Sequence, residues 1–175
     1  MARSAGRGVA AFLSTHRPVN ALLTIEAGHV LSPVAHELIA ALSAELVAMY
    51  PEDVGTVFRF DEDDVAAGRG AFLVAYGGGE PIGCGAVRTV GDGVGEIKRM
   101  YVRPAARGQG VARALLAALE AEARRLDFRR LCLETGVRQG PALALYRRAG
   151  YTEIPPYGEF VGNPLSVCLA KDLAR

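Results

Sequence analysis

From Arg103 to Ala112 the chain reads RPAARGQGVA: two arginines and two glycines set directly against a segment in which Val111, Leu115, Leu119, Ala123 and Leu126 recur at helical spacing. A helix N-terminus presents unpaired N–H groups and a partial positive charge, and glycines ahead of it let the backbone close around an anion. The stretch reads as a phosphate cradle. Gly108, Gln109, Gly110, Val111 and Ala112 supply amide donors, and Arg107 adds a full charge beside them. The competing reading is a tight strand-to-helix turn that holds no ligand. Two better-known cradles fit poorly. A P-loop needs Gly-Lys followed by Ser or Thr, and the chain has no Gly-Lys pair. A dinucleotide fingerprint needs a third glycine where Arg113 stands.

The elements that must hold this segment follow from pattern. Ala21 to Glu26 suits a first strand, and Ser32-Pro33 caps a helix whose apolar face runs through Val34, Leu38, Leu42, Leu46 and Met49 and stops at Pro51. Glu52 to Gly70 is acidic and irregular around Asp61-Glu62-Asp63-Asp64, which fits a solvated loop or the start of a short helix. Ala71 to Tyr76, Pro81 to Val90 and Val94 to Val102, separated by glycine-rich turns, read as three antiparallel strands. The long helix after the cradle then leads to a buried strand at Leu131 to Glu134. Strand, crossover helix and strand make a parallel pair. Pro141 opens a further helix that Gly150 ends, and Leu165 to Lys171 supplies a last strand.

Composition narrows the function. A chain of 175 residues, half of them hydrophobic and with net charge +1, suits one globular domain over 21–175 with a single site. Its 18 arginines and two lysines (Lys98 and Lys171) are spread among 19 acids without a basic block, so nucleic acid is not the expected partner. Cys84, Cys132 and Cys168 lie far apart in apolar runs with no metal-ligand spacing. They read as reduced core thiols, with no metal expected. Residues 1–20 read as a loose N-terminal extension whose apolar patch, Val9 to Leu13, is shorter than a signal-peptide core. No run reaches the roughly 18 apolar residues of a membrane span. A cytoplasmic protein without a membrane partner is the expectation.

Arg107-Gly108-Gln109-Gly110-Val111-Ala112 resembles motif A of the GNAT acetyltransferase superfamily: Arg or Gln, two residues, Gly, one residue, then Gly or Ala. The surroundings strengthen the likeness. Met100-Tyr101-Val102-Arg103-Pro104 leads in, an amphipathic helix leaves, and Leu145-Tyr146-Arg147-Arg148-Ala149-Gly150-Tyr151 resembles the family's later LYxxxGF element. The resemblance spans about residues 20 to 173 and has one departure, Gln139, where many members carry Asn; Gln offers the same donor and acceptor types.

That resemblance implies an α/β (α+β) fold. Its mixed, mostly antiparallel sheet has a central splayed parallel pair, here Glu96 to Val102 and Leu131 to Thr135, flanked by helices. It implies acetyl-CoA as cosubstrate. The diphosphate would sit in the cradle from Arg107 to Ala112, the pantothenate arm would pair with Met100, Tyr101 and Val102, and a contact would come from Gln139. The Met100 N–H would face the thioester carbonyl.

An N-acetyltransferase acting by direct transfer to a primary amine, on a small molecule or a protein, is the function implied. A non-catalytic acyl-CoA-binding regulatory module is the alternative, and a homodimer is compatible with either. Direct transfer needs a base for the ammonium proton and an acid for the departing thiolate. Tyr146 matches the position from which many members present a phenol to the sulfur, with burial in the core as its structural alternative. Glu96 matches a strand position used by some members for a base. Its structural alternative is a pair with Lys98 or a nearby arginine. His29 and His36 are weaker candidates. The acceptor pocket in this family is framed by the segments Tyr50 to Phe60 and Pro155 to Phe160, which places Glu52, Tyr157 and Glu159 as candidate amine-binding residues.

Overall fold

Two β-hairpins in sequence build the centre of the molecule. In the computed structural model, which describes residues 22–53 and 61–174, strands β2 (Gly70–Gly77), β3 (Glu80–Gly91) and β4 (Val94–Val102) pair antiparallel in order. The expected N-terminal extension, and residues 54–60 of the first acceptor segment, lie outside the described residues. β1 (Leu23–Ala27) adds to β2, and β5 (Arg130–Gly136) adds to β4. β7 (Ser166–Asp172) pairs with β5 and carries the two-residue β6 (Thr152–Glu153) on its outer side. The resulting seven-stranded order is β1-β2-β3-β4-β5-β7-β6, and only β4 and β5 are parallel. The helix that the sequence places between them, α2 (Val111–Arg125), is the crossover that makes them so.

Alternation along the strands sends side chains to two layers. Leu73, Val87, Ile97, Leu131, Leu133 and Leu169 face α2 and α3 (Gly140–Arg148) and pack with Leu115, Leu119 and Leu143. On the opposite face Phe72, Val74, Cys84, Ala86 and Tyr101 pack under α1 (Pro33–Met49), through Ala35, Leu38 and Leu42. α1 starts as its sequence specifies: the Ser32 hydroxyl accepts from the Ala35 N–H at 3.2 Å and Pro33 occupies the first turn. The acidic stretch forms a short 3₁₀ turn over Glu62–Val65, with the Asp61 N–H donating to the Asp64 carboxylate at 2.9 Å.

The feature that shapes the site is where the parallel pairing stops. It runs from Val94↔Arg130 to Ile97↔Leu133 and no further, although β4 continues to Val102 and β5 to Gly136. A β-bulge accompanies the divergence. Between Cys84↔Tyr101 and Ala86↔Lys98, two residues of β4, Arg99 and Met100, face the single residue Gly85, and Arg99 takes φ +57°. Position 85 has no room for a side chain, since a Cβ there would lie 2.8 Å from Leu119 Cδ1 and 3.1 Å from Met100 Sδ.

Below the splay the two parallel strands are held by close packing. A Cβ on Gly95 would stand 2.5 Å and 2.8 Å from Phe128 ring atoms and 2.9 Å from Leu131 Cδ2. Phe128 and Leu131 are both buried, so neither can move away without disturbing the core. Gly95→Ala should therefore lower stability by about 1–3 kcal/mol through overpacking, read as a fall in the midpoint of urea unfolding with the slope unchanged.

Candidate active site

The expected cradle lies at the open end of the splay, because β4 ends at Val102 and the chain turns back over the sheet through Pro104–Ala106 before α2 begins at Val111. Gly108 has φ +75° and Gly110, the N-cap of α2, has φ +83° with no side-chain cap. These left-handed conformations favour glycine strongly. They also leave the approach clear: a Cβ at Gly108 would meet nothing within 4 Å, and one at Gly110 only Arg113 at 3.9 Å. Ala114 is the first residue whose N–H returns to the turn, reaching the Gly110 carbonyl at 3.0 Å. The N–H groups of Val111, Ala112 and Arg113 precede it, in the zone that every helix leaves without intrahelical partners. Gln109 Nε2 donates to the Ala105 carbonyl at 3.1 Å and braces the loop from behind. An uncapped helix start with open glycines fits an anionic group such as a diphosphate. Arg107 beside it is already engaged, since its guanidinium pairs with Glu45 and its Nε donates to the Val102 carbonyl at 2.8 Å.

On the α1 face of the sheet, Glu96 is buried to 1 % exposure, which requires its charge to be compensated. Arg88, its register partner on β3, donates to Oε2 from Nε at 2.9 Å and from Nη2 at 2.8 Å, and also bonds Asp64 Oδ2 at 3.1 Å. The other oxygen, Oε1, accepts from the Tyr157 hydroxyl at 2.8 Å and lies 3.6 Å from Lys98 Nζ. Lys98 in turn lies 3.6 Å from the half-exposed Glu159 and 5.0 Å over the Phe160 ring. Burial first, and then the Glu96 charge, drive the Tyr157 phenol far above its ordinary ionisation range, so it stays a donor. Glu96, Tyr157 and Glu159 are thus brought together around Lys98. Arg88, Glu96, Tyr157, Glu159 and Phe160 line an open cleft of about 650 Å³ whose apolar walls include Val90, Val94 and Ile154.

Tyr146 occupies the other layer. It is buried in α3, edge-on to Tyr151 at 5.9 Å, and burial, then the Glu134 carboxylate, push its phenol well above the usual value, which keeps it protonated. No contact links Tyr146 to Glu96 among the described residues. Met100, Tyr101 and Val102 form the part of β4 beyond the splay. Gln139 sits at the start of α3 with its carbonyl turned inward, accepting from the Thr135 hydroxyl and the Gly136 N–H, each at 2.8 Å. Its amide oxygen is spent on shaping the turn between β5 and α3. Glu52 lies apart from the cleft residues. It pairs with Arg138, whose hydrogen bond holds the Glu52 carboxyl below its ordinary range, and Arg138 also donates from Nη1 to the Met49 carbonyl at 2.7 Å. The Tyr50 hydroxyl accepts from the Arg138 N–H at 2.8 Å, so the end of α1 is anchored to the β5–α3 turn. Cys84 is buried and its thiol is pushed up to about 12 by burial, as expected of an inert core residue.

Three participants were not singled out as site residues from the sequence: Arg88, Lys98 and Glu45. The first two were findable in principle. Glu96 and Lys98 are two apart on one strand and so share a face, and the Gly91-Asp92-Gly93 turn sets a register that brings Arg88 opposite Glu96. Glu45 carried no local signal.

The family model for the acetyltransferase (GNAT) family matches residues 35–151. An IAA acetyltransferase of Azospirillum brasilense is 38% identical over 152 residues, which is 86% of this chain and 98% of that protein. Among solved structures, a Klebsiella pneumoniae chain assigned as an acyl-CoA N-acyltransferase superposes with TM-score 0.74 at 36% identity, covering 89% of this chain and all of its own length. A GNAT acetyltransferase of Elizabethkingia anophelis with acetyl-CoA bound, 20% identical over 86% of this chain and 98% of its own, shares the fold at TM-score 0.62. With a splayed β4–β5 pair, a glycine cradle at the mouth of α2 and a match across two thirds of its length, the chain belongs to the GNAT acetyltransferase family.

Proposed function

We propose that the chain transfers an acetyl group from acetyl-CoA directly to the primary amine of a small molecule. The observation that carries this reading is the uncapped glycine cradle opening beside the unpaired ends of β4 and β5, with an amine-sized cleft on the α1 face. Acetyl-CoA supplies an acyl group activated as a thioester. The cradle amides from Gly108 to Ala112 hold its diphosphate, the edge of β4 at Met100, Tyr101 and Val102 receives its amide-bearing arm, and the Met100 N–H stabilises charge on the carbonyl oxygen. A cleft of about 650 Å³ falls in the range of small-molecule sites, which favours a free amine over a folded protein lysine. Glu159, half-exposed at its rim, and the Tyr157 and Phe160 rings suit a cationic amine with an apolar body.

Within this reading the proton leaves the amine towards Glu96 Oε1, the oxygen that Arg88 does not chelate. Tyr157, bonded to that oxygen, can take a proton from the amine as it gives its own to the carboxylate. Tyr146 supplies the proton for the departing thiolate, and its burial keeps that proton in place at neutral pH.

Each role has its own measurement. Gly110→Val should obstruct the cradle and strain a left-handed position, lowering acetyl-CoA affinity at least about tenfold by titration calorimetry in a protein that keeps its circular dichroism spectrum. Unchanged affinity in the folded variant would remove the cradle assignment.

Tyr146→Phe should lower kcat by roughly 10- to 100-fold with acetyl-CoA affinity nearly intact. Because the phenol is raised from its ordinary value of about 10, its ionisation should not limit the wild-type rate on the alkaline side up to that pH. A wild-type kcat in the variant assigns Tyr146 to packing alone.

Glu96→Gln should abolish the acidic limb of the kcat/KM profile, since that limb reports protonation of the base. A limb left in place makes Glu96 a structural anion. Both rates are read by release of free CoA thiol over a panel of amines. Acetyl-CoA binding without thiol release from any of them would assign the chain to the regulatory class.

A further inference from the structure

Arg107, the residue that opens the cradle, is held on three sides. Its Nε donates to the Val102 carbonyl, its Nη2 donates to both oxygens of Glu45 at 2.8 and 2.7 Å, and its guanidinium lies 5.7 Å over the Tyr101 ring. The Tyr101 hydroxyl donates to the same Glu45 Oε1 at 3.2 Å. Glu45 belongs to α1, 62 positions earlier in the chain. One carboxylate therefore joins α1, the free end of β4 and the first residue of the anion-binding loop.

Such a half-exposed pair adds little to global stability. Its effect is geometric. With the guanidinium fixed, the Val102 carbonyl is occupied, which sets where the free edge of β4 ends, and the chain leaves Arg107 towards Gly108 from a defined place. We propose that Glu45 is a positioning residue of the cradle: it clamps Arg107 so that the Gly108–Gly110 loop is held in the geometry that receives the diphosphate of acetyl-CoA. The proposal rests on the acetyl-CoA reading given above.

The sign of the effect separates this role from simple electrostatics. A carboxylate near an anion site repels the anion, so a Glu45 that did nothing else would weaken acetyl-CoA binding, and its removal would tighten it. The same tightening is expected if Glu45 merely competes with the diphosphate for Arg107. Positioning demands the reverse. A built-in control exists in the neighbouring pair between Arg103 Nη2 and Glu37 Oε1 at 2.6 Å, which also ties α1 to the segment after β4 but does not touch Arg107.

The test is calorimetric titration of acetyl-CoA into the full chain and its Glu45→Gln, Arg107→Gln, doubly substituted and Glu37→Gln variants, with steady-state kinetics on each. Glu45→Gln should weaken acetyl-CoA about fivefold or more, with Arg107→Gln similar and the double variant no worse than the weaker single one. The KM for acetyl-CoA should rise while kcat and the KM for the amine stay put, and Glu37→Gln should match the wild type. A second variant, Glu45→Asp, keeps the charge at shorter reach and should bind with intermediate affinity even if Glu45→Gln folds poorly. Tighter or unchanged binding in Glu45→Gln, additive losses in the double variant, or an equal loss in Glu37→Gln would overturn the proposal. Failure of the wild type to bind acetyl-CoA would fell the cradle reading and this one with it, whereas wild-type binding with an indifferent Glu45→Gln fells this one alone.

Discussion

Pairing between β4 and β5 lasts for four residue levels, from Val94 to Ile97, and then the two strands part in the middle of a seven-stranded sheet. An opening there is costly on its own terms, because it leaves backbone N–H and C=O groups of Lys98 to Val102 and of Glu134 to Gly136 without a neighbouring strand between them. The fold accepts the cost in a particular way. Both strands are followed by helices, α2 and α3, so two helix N-termini gather at the open end, with unpaired amides of their own. An extended ligand that carries amides along its length and an anionic group at one end complements all of these groups at once. The bulge at Arg99 and Met100, with Gly85 opposite, keeps β4 bent away from β5 and so prevents the gap from closing.

The two faces of the sheet then divide the work. The α2–α3 face is a largely apolar layer, with Tyr146, Tyr151, Thr135 and Glu120 among its buried polar groups, while the α1 face carries the buried charge of Glu96 beside the apolar walls of the cleft. Glu96 shows how that polarity is sustained. A carboxylate at 1 % exposure stands only because Arg88 and Tyr157 occupy both of its oxygens, and removing either partner would leave a poorly compensated charge in low dielectric. The same contacts draw the Tyr157–Phe160 segment down onto the strands through Lys98 and Glu159. The roof of the cleft is thus tied to its floor by charge.

Much of this was legible in the chain. Hydrophobic period, caps and turn residues placed α1, the three-strand meander, the crossover helix and the parallel pair close to their observed bounds, since each is specified by local steric and capping chemistry. The glycine turn ahead of α2 could be read for the same reason: φ above zero at Gly108 and Gly110 is a local demand that only glycine meets comfortably. The partners of charged side chains were not legible. Arg88 meets Asp64 across 24 positions, Tyr157 meets Glu96 across 61 and Arg107 meets Glu45 across 62, and nothing in a neighbouring residue records such a meeting. Glu52 shows the same gap: a carboxylate on the expected acceptor segment turns to Arg138 beside the β5–α3 turn.

Arg107 carries the general point furthest. Adjacent to two glycines at a helix start, an arginine suggests a charge aimed at phosphate, yet its guanidinium is shared between a main-chain carbonyl and a carboxylate of another helix. In a chain whose 20 basic residues face 19 acidic ones, most cations will find an internal anion, and side-chain charge is a poor guide to where a ligand binds. Main-chain amides have no such alternative partners at a helix start, because the helix geometry itself denies them one. On the acetyl-CoA reading proposed above, recognition of the anion therefore falls to groups that no side-chain substitution removes directly. What the side chains around them can change is the shape of the loop, through the two glycines that permit it and the Glu45–Arg107–Tyr101 contacts that brace it.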